Sequence, residues 1–198
     1  DDLSVAVVTK IAAQLKILRH VSTNKFGAAI NCFTTVAGLM LGGEKCENTI
    51  FALDGDVYRS DEEKIERLNK VITGHDQNAI SCKEQALTKI CQFRLPCGVK
   101  PEPFLHSLIC DTIDTGNSEL NEIIEISKEI IVADDSHGYI NEIIIRLGLS
   151  REVGLSKIVD LLSHSPGWDD YVFDIKKWLQ GMVGDVVEVE ATNPQARD

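Results

Sequence analysis

Six cysteines and five histidines are the side chains of this 198-residue chain best suited to chemistry. The cysteines are Cys32, Cys46, Cys82, Cys91, Cys97 and Cys110, and the histidines are His20, His75, His106, His137 and His164. An even, clustered set of thiols fits a disulfide framework in an oxidising compartment. It fits free thiols in a core nearly as well, because free cysteine is among the most buried residue types. Cys32, Cys91 and Cys110 lie in apolar runs, while Cys46 and Cys97 lie near glycine in expected loops. Bridges from loop cysteines to neighbouring helices are therefore sterically reasonable. Cys91, Cys97, His106 and Cys110 are of the types that hold Zn²⁺, and His106 and Cys110 share one face of an expected helix. The quartet lacks a C-x-x-C knuckle, so no metal site is expected. A thiol nucleophile would need one of the histidines as its base. Nothing in the spacing selects a pair, and no catalytic residue is assigned.

The carboxylates give weaker signals. Asp114-Thr115-Gly116 is the triplet of aspartic proteases, but their chemistry needs two aspartates sharing a proton, and only one copy occurs. A turn is expected there. Asp54-Gly55-Asp56 precedes Asp61, Glu62 and Glu63, yet a calcium loop counted from Asp54 would need glycine and glutamate where Arg59 and Ile65 stand. Gly42-Gly43-Glu44-Lys45 lacks the spacing of a phosphate loop. No cofactor is expected. Trp168, Tyr171 and Trp178 fall on one amphipathic stripe, either as core or as an aromatic patch facing a ligand or partner.

Two short resemblances arise from these residues. Gly167-Trp168-Asp169 resembles the second homology motif of Bcl-2-type proteins, but the stretch resembling their first motif, Arg151 to Leu162, lies almost against it, and that helix order excludes the family. Asn24 to Gly27 and Arg146 to Leu149 resemble fragments of the armadillo regulatory domain of formins, too short to carry a function.

The elements that must position these residues are helical. Leu3, Val7, Ile11, Leu15 and Leu18 recur at three- and four-residue spacing, as one helix requires. A second helix is expected from about Lys25 to Leu41, ended by Gly42-Gly43. Glu44 to Arg59 reads as loop. Ser60 to Glu63 matches a capping box, and a helix follows with Ile65, Leu68 and Ile72. Further helices are expected over Asn78 to Phe93, after Pro101, after Ser118, after Ser136 and after Ser150. Ser165-Pro166 reads as the cap of a last helix that holds both tryptophans. Val186 to Glu190 alternates with period two, as a short C-terminal strand would. Short connections favour antiparallel neighbours. The expected fold is all-α, a multi-helix bundle or short helical solenoid of seven to nine helices. It forms a single domain over 1–198: a near-neutral cysteine-containing part to about 115, an acidic helical part over about 116–184, and a tail over 185–198.

Charge separates those parts. Residues 1–100 carry 13 Lys and Arg against 12 Asp and Glu, whereas residues 101–198 carry 7 against 19. No basic cluster exists for nucleic acid. Gly27 to Leu41, the longest apolar stretch, is too short to span a bilayer. The start at Asp1-Asp2 is what removal of a signal or transit peptide would leave, or excision from a longer chain. With the cysteine count it tilts the expectation toward a secreted or lumenal protein. The function expected is a non-enzymatic interaction or scaffold protein whose acidic face binds a protein partner, a basic one being its natural complement, or a second copy of the chain. The alternatives are a helical carrier of an apolar small molecule and a thiol- or metal-dependent enzyme.

Overall fold

The computed structural model describes residues 1–44, 46–132 and 138–192, with side chains through residue 183. The chain divides into two compact units, one of residues 24–93 and one of residues 1–23 with 94–198. The architecture is mostly helical, with ten α-helices among the described residues and two short strands.

The continuous unit contains α2 (Ala29–Leu41), β1 (Phe51–Leu53), α3 (Asp61–Val71), α4 (Gln77–Thr88) and β2 (Ile90–Gln92). The strands pair in parallel, Phe51 opposite Ile90 and Leu53 opposite Gln92. Parallel strands need a crossover, and α3 with α4 supplies it. Phe33, Val36, Leu53, Leu68, Ile72 and Ala86 fill the core. The Ser60 capping box forms as its sequence demands: the Ser60 hydroxyl accepts from the Glu63 amide, and Glu63 reaches back to the cap. The strands correct two expectations. β1 arises inside the expected loop over Glu44 to Arg59, and β2 replaces the end of the helix expected to reach Phe93. Backbone pairing of Phe51 with Lys89 and of Phe93 with Leu53 satisfies the groups that a longer helix would have satisfied.

The discontinuous unit contains α1 (Asp2–Gln14), a 3-10 turn over Leu18–His20, α5 (Pro101–Cys110), α6 (Ser118–Glu129), α7 (Tyr139–Arg146), α8 (Arg151–Leu162), α9 (Trp168–Tyr171) and α10 (Phe173–Thr192). Helix α8 lies at its centre and packs against α1, α5, α6 and α7. Leu155, Ile158, Val159, Leu161 and Leu162 of α8 are all buried. Ser150 caps it by accepting from the Val153 amide. Helix α7 closes with Gly148 in the left-handed region, its amide bonded to Ile145 and the Leu149 amide to Ile144, the Schellman pattern. Helix α1 ends the same way, but Lys16 holds the left-handed position at φ 61°, so the sequence carries no glycine to announce the stop.

Several further expectations change. The expected Ser136 cap of α7 lies outside the described residues. Ser165 does not cap the last helix; its hydroxyl donates to the Leu162 carbonyl at the end of α8. The two tryptophans stand on separate helices, α9 and α10, because the chain breaks helical geometry at Val172. Val186 to Glu190 is helical, within α10. No helix of the described residues is long and apolar enough to cross a membrane.

Gly154 decides how closely α7 and α8 approach. A Cβ built there would stand 2.5 Å from Ile144 Cγ1. Gly154→Ala is therefore expected to cost about 1–3 kcal/mol by overpacking, against the small gain in helix propensity. Urea denaturation checks this, and an unchanged midpoint would show that α7 gives way freely.

Candidate functional site

All six cysteines are free thiols, so of the two readings their count allowed the disulfide framework is not formed. The continuous unit holds Cys32, Cys46, Cys82 and Cys91, and the discontinuous unit holds Cys97 and Cys110. Packing explains why the helical pair is unbridged. The Cys82 thiol of α4 faces the Met40 carbonyl at 3.8 Å. Cys32 lies eight residues earlier on α2, about 12 Å away along the axis. Cys32 is fully buried, and desolvation pushes its thiol from 9.0 up to about 12, against the weaker pull of Lys64. Cys46 adopts φ 44° in a turn, and Cys97 is exposed.

The histidines are equally dispersed. His20 meets Arg19, His164 Nδ1 lies 2.8 Å from the Asp160 carbonyl, His75 is exposed, and His137 lies outside the described residues. His106 is the one that the structure brings to a thiol. Its Nε2 lies 3.6 Å from Cys110 Sγ, one turn along α5, and 2.9 Å from the Ser127 carbonyl of α6. A carbonyl only accepts, so Nε2 carries a proton and cannot serve as a base for the thiol. Burial, and then Asp111, push the Cys110 thiol above its usual value. The pair is thus the opposite of an activated nucleophile, which needs a depressed thiol and a free base.

Tyr139 completes this cluster. Its ring meets the His106 imidazole edge-on, centroids 5.3 Å apart. Glu102, in the first turn of α5, holds it there: its Oε2 accepts from the Gly138 amide at 2.7 Å and the Tyr139 amide at 3.3 Å. Helix α7 has no cap of its own, so a carboxylate from another helix satisfies its free amides and its positive end. The Tyr139 hydroxyl and the Ser127 Oγ are both buried with no hydrogen-bond partner. Burial, then Glu102 and Cys110, push the Tyr139 phenol far up, so it remains a neutral donor.

The aromatic trio divides. Trp168 and Tyr171 are core residues, ring centroids 6.4 Å apart, and Tyr171 also meets Phe104. The Trp168 indole nitrogen has no partner. Trp178 is half-buried on α10. Asp114 makes the expected turn, accepting from the Gly116 amide and Asn121. No three His, Cys, Asp or Glu side chains gather as a metal cluster among the described residues.

The acidic half presents a second candidate surface. Many of its carboxylates are neutralised nearby: Glu119 by Lys157, Glu125 by Lys128, and Glu129 and Glu142 together by Arg146. Glu122 is exposed on the same face of α6. Ile131, just past α6, is 97% exposed, and Ile145, on α7, is 76% exposed. Both lie within two residues of the Glu129–Arg146 ion pair. Comparison of the chain with protein-family models, curated proteins and solved structures finds no match.

The sequence pointed to His106 and Cys110 by their spacing but not to Glu102, Ser127 or Tyr139. Their roles depend on packing between helices, which leaves no local spacing to read.

Two expectations follow. Removing the orphaned hydroxyl, Tyr139→Phe is expected to raise stability by about 1 kcal/mol, since a buried unpaired donor costs more than a phenyl hydrogen. A denaturation midpoint below that of the parent would mean that the hydroxyl has a partner in solution. For Cys32, a raised folded-state value means that its contribution is complete below the ordinary value of 9.0 and is lost as pH rises toward about 12. Stability measured across that window is expected to fall less steeply in Cys32→Ala than in the parent.

Proposed function

We propose that this protein is a non-enzymatic helical interaction module that docks a basic, amphipathic segment of a protein partner on α6 and α7. The observation that carries this reading is a pair of strongly exposed isoleucines, Ile131 and Ile145, close in sequence to the carboxylates of Glu129 and Glu142, with Glu122 exposed further along α6. Apolar side chains set among like charges suit a partner that offers lysine or arginine on one helical face and leucine on the other. Arg146 supports the arrangement by holding Glu129 and Glu142 in place, leaving a net negative rim. The protonated Nε2 and raised thiol at His106 and Cys110 weigh against the enzyme reading.

A labelled synthetic helix with lysines on one face and leucines on the other is the direct probe, read by fluorescence anisotropy. Binding is expected to weaken as salt rises, because steering by surface charge is screened. Ile145→Ser is expected to reduce affinity about tenfold, the effect of one central apolar contact. Glu122→Lys is expected to flatten the salt dependence. Unchanged binding in both variants would sink the assignment of this face.

A further inference from the structure

The chain itself contains a basic segment with an exposed apolar side chain. Residues 3–43 hold Lys10, Lys16, Arg19 and Lys25 and no aspartate or glutamate, in a chain of net charge −11. Lys10 is paired with Asp160. Lys16, Leu18, Arg19 and His20, in the turn that follows α1, are all exposed, Leu18 by 46%. We propose that the partner of the α6–α7 face is a second copy of this chain, which offers this turn; the inference rests on the docking function proposed for that face.

Complementarity is the first support. Lys16 and Arg19 bracket Leu18, whereas Ile131 and Ile145 accompany three carboxylates, Glu122, Glu129 and Glu142, and one guanidinium, Arg146. Each surface thus offers an apolar contact with charge of opposite sign around it. The turn is also built in advance. The Ile17 amide donates to the Ala12 carbonyl at 2.9 Å, the His20 amide donates to the Ile17 carbonyl at 2.9 Å, and the Ile17 side chain is buried. A segment fixed before binding loses little freedom when it docks.

Geometry is the second support, because it excludes the same contact within one copy. Lys10 meets Asp160 and Asp2 meets Arg151, so α1 and α8 run in the same direction. The turn after α1 therefore lies toward the C-terminal end of α8. The docking face lies toward the other end, where Ile144, the neighbour of Ile145, packs at Gly154 and Arg151 bonds to Asn141 of α7. Arg151 and Asp160 are about 14 Å apart along the α8 axis. One copy cannot bring its turn to its own face without breaking the seam between α1 and α8. A contact between two unlike surfaces leaves one turn and one face unused in each bound pair, so association propagates or closes into a ring.

Sedimentation velocity of the 198-residue chain at rising concentration tests this. The parent is expected to grow beyond a dimer at low salt and to return toward monomer as salt rises. Leu18→Ser and Ile145→Ser are each expected to weaken self-association at least tenfold. Ile30→Ser, on α2 and 47% exposed, is expected to leave it unchanged. Circular dichroism confirms that each variant is folded. The decisive sample is an equimolar mixture of Leu18→Ser and Ile145→Ser, at a concentration where neither associates alone. The first keeps its face and the second keeps its turn, so one-to-one pairs and nothing larger are expected. A monomeric parent that still binds the synthetic lysine–leucine helix would overturn this inference and leave the docking face standing, whereas a parent that binds neither overturns both. Full association in Leu18→Ser, equal loss in Ile30→Ser, or a mixture that stays monomeric while the parent associates would also overturn the contact.

Discussion

The packing of α1 against α8 is the contact on which the discontinuous unit depends. Helix α1 lies about 150 residues before α8 in the chain, so their contact closes a long loop, whereas α7 reaches α8 through a short turn. Val7 and Ile11 of α1 are fully buried. Polar contacts fix the register along the same seam. Lys10 pairs with Asp160, and Arg151 reaches Asp2 at 3.1 Å. Exposed pairs of this kind stabilise little. They do select one alignment of two helices that apolar contact alone would leave free to slide. Closing so long a loop is entropically slow, whereas residues 24–93 form their contacts within one continuous segment.

Where the chain re-enters this unit, a second contact fixes it. Arg94 places a forked pair of hydrogen bonds on Asp174, at 2.8 and 3.1 Å, and lies 4.0 Å over the Phe173 ring. Its own amide donates to the Tyr171 carbonyl. A planar guanidinium suits this combination of fork and face, and lysine would satisfy neither geometry as well. The junction between α9 and α10 is thereby fixed by a residue nearly 80 positions earlier.

The helices were largely legible in the sequence, and the reasons are local. Ser60, Ser150 and Gly148 act through hydrogen bonds within a few residues, so their spacing announces them. What stayed hidden either departed from the usual residue preference or was set at a distance. Lys16 ends α1 without a glycine, and Asn117, rather than Ser118, caps α6 through its side chain. β1 and β2 are three residues each and exist only because they find one another. The cysteines gave a count but no geometry. The His106–Cys110 spacing was visible, but Ser127 and Tyr139 come from other helices, and Glu102, on the same helix, acts on the distant start of α7. Charge asymmetry was equally plain, whereas its local cancellation by Arg146, Lys128 and Lys157 is a property of the folded surface.

Helix α7 is only eight residues long, yet it carries Tyr139 against His106 at one end and Ile145 toward solvent near the other. At 1.5 Å per residue these positions are about 9 Å apart along its axis. Its start is held by Glu102 of α5 and its body is seated against Gly154 of α8. A rod so short and so firmly seated transmits displacement as one piece. A change of packing at Tyr139 is therefore expected to show at Ile145 as a movement of the whole helix, not as a local rearrangement.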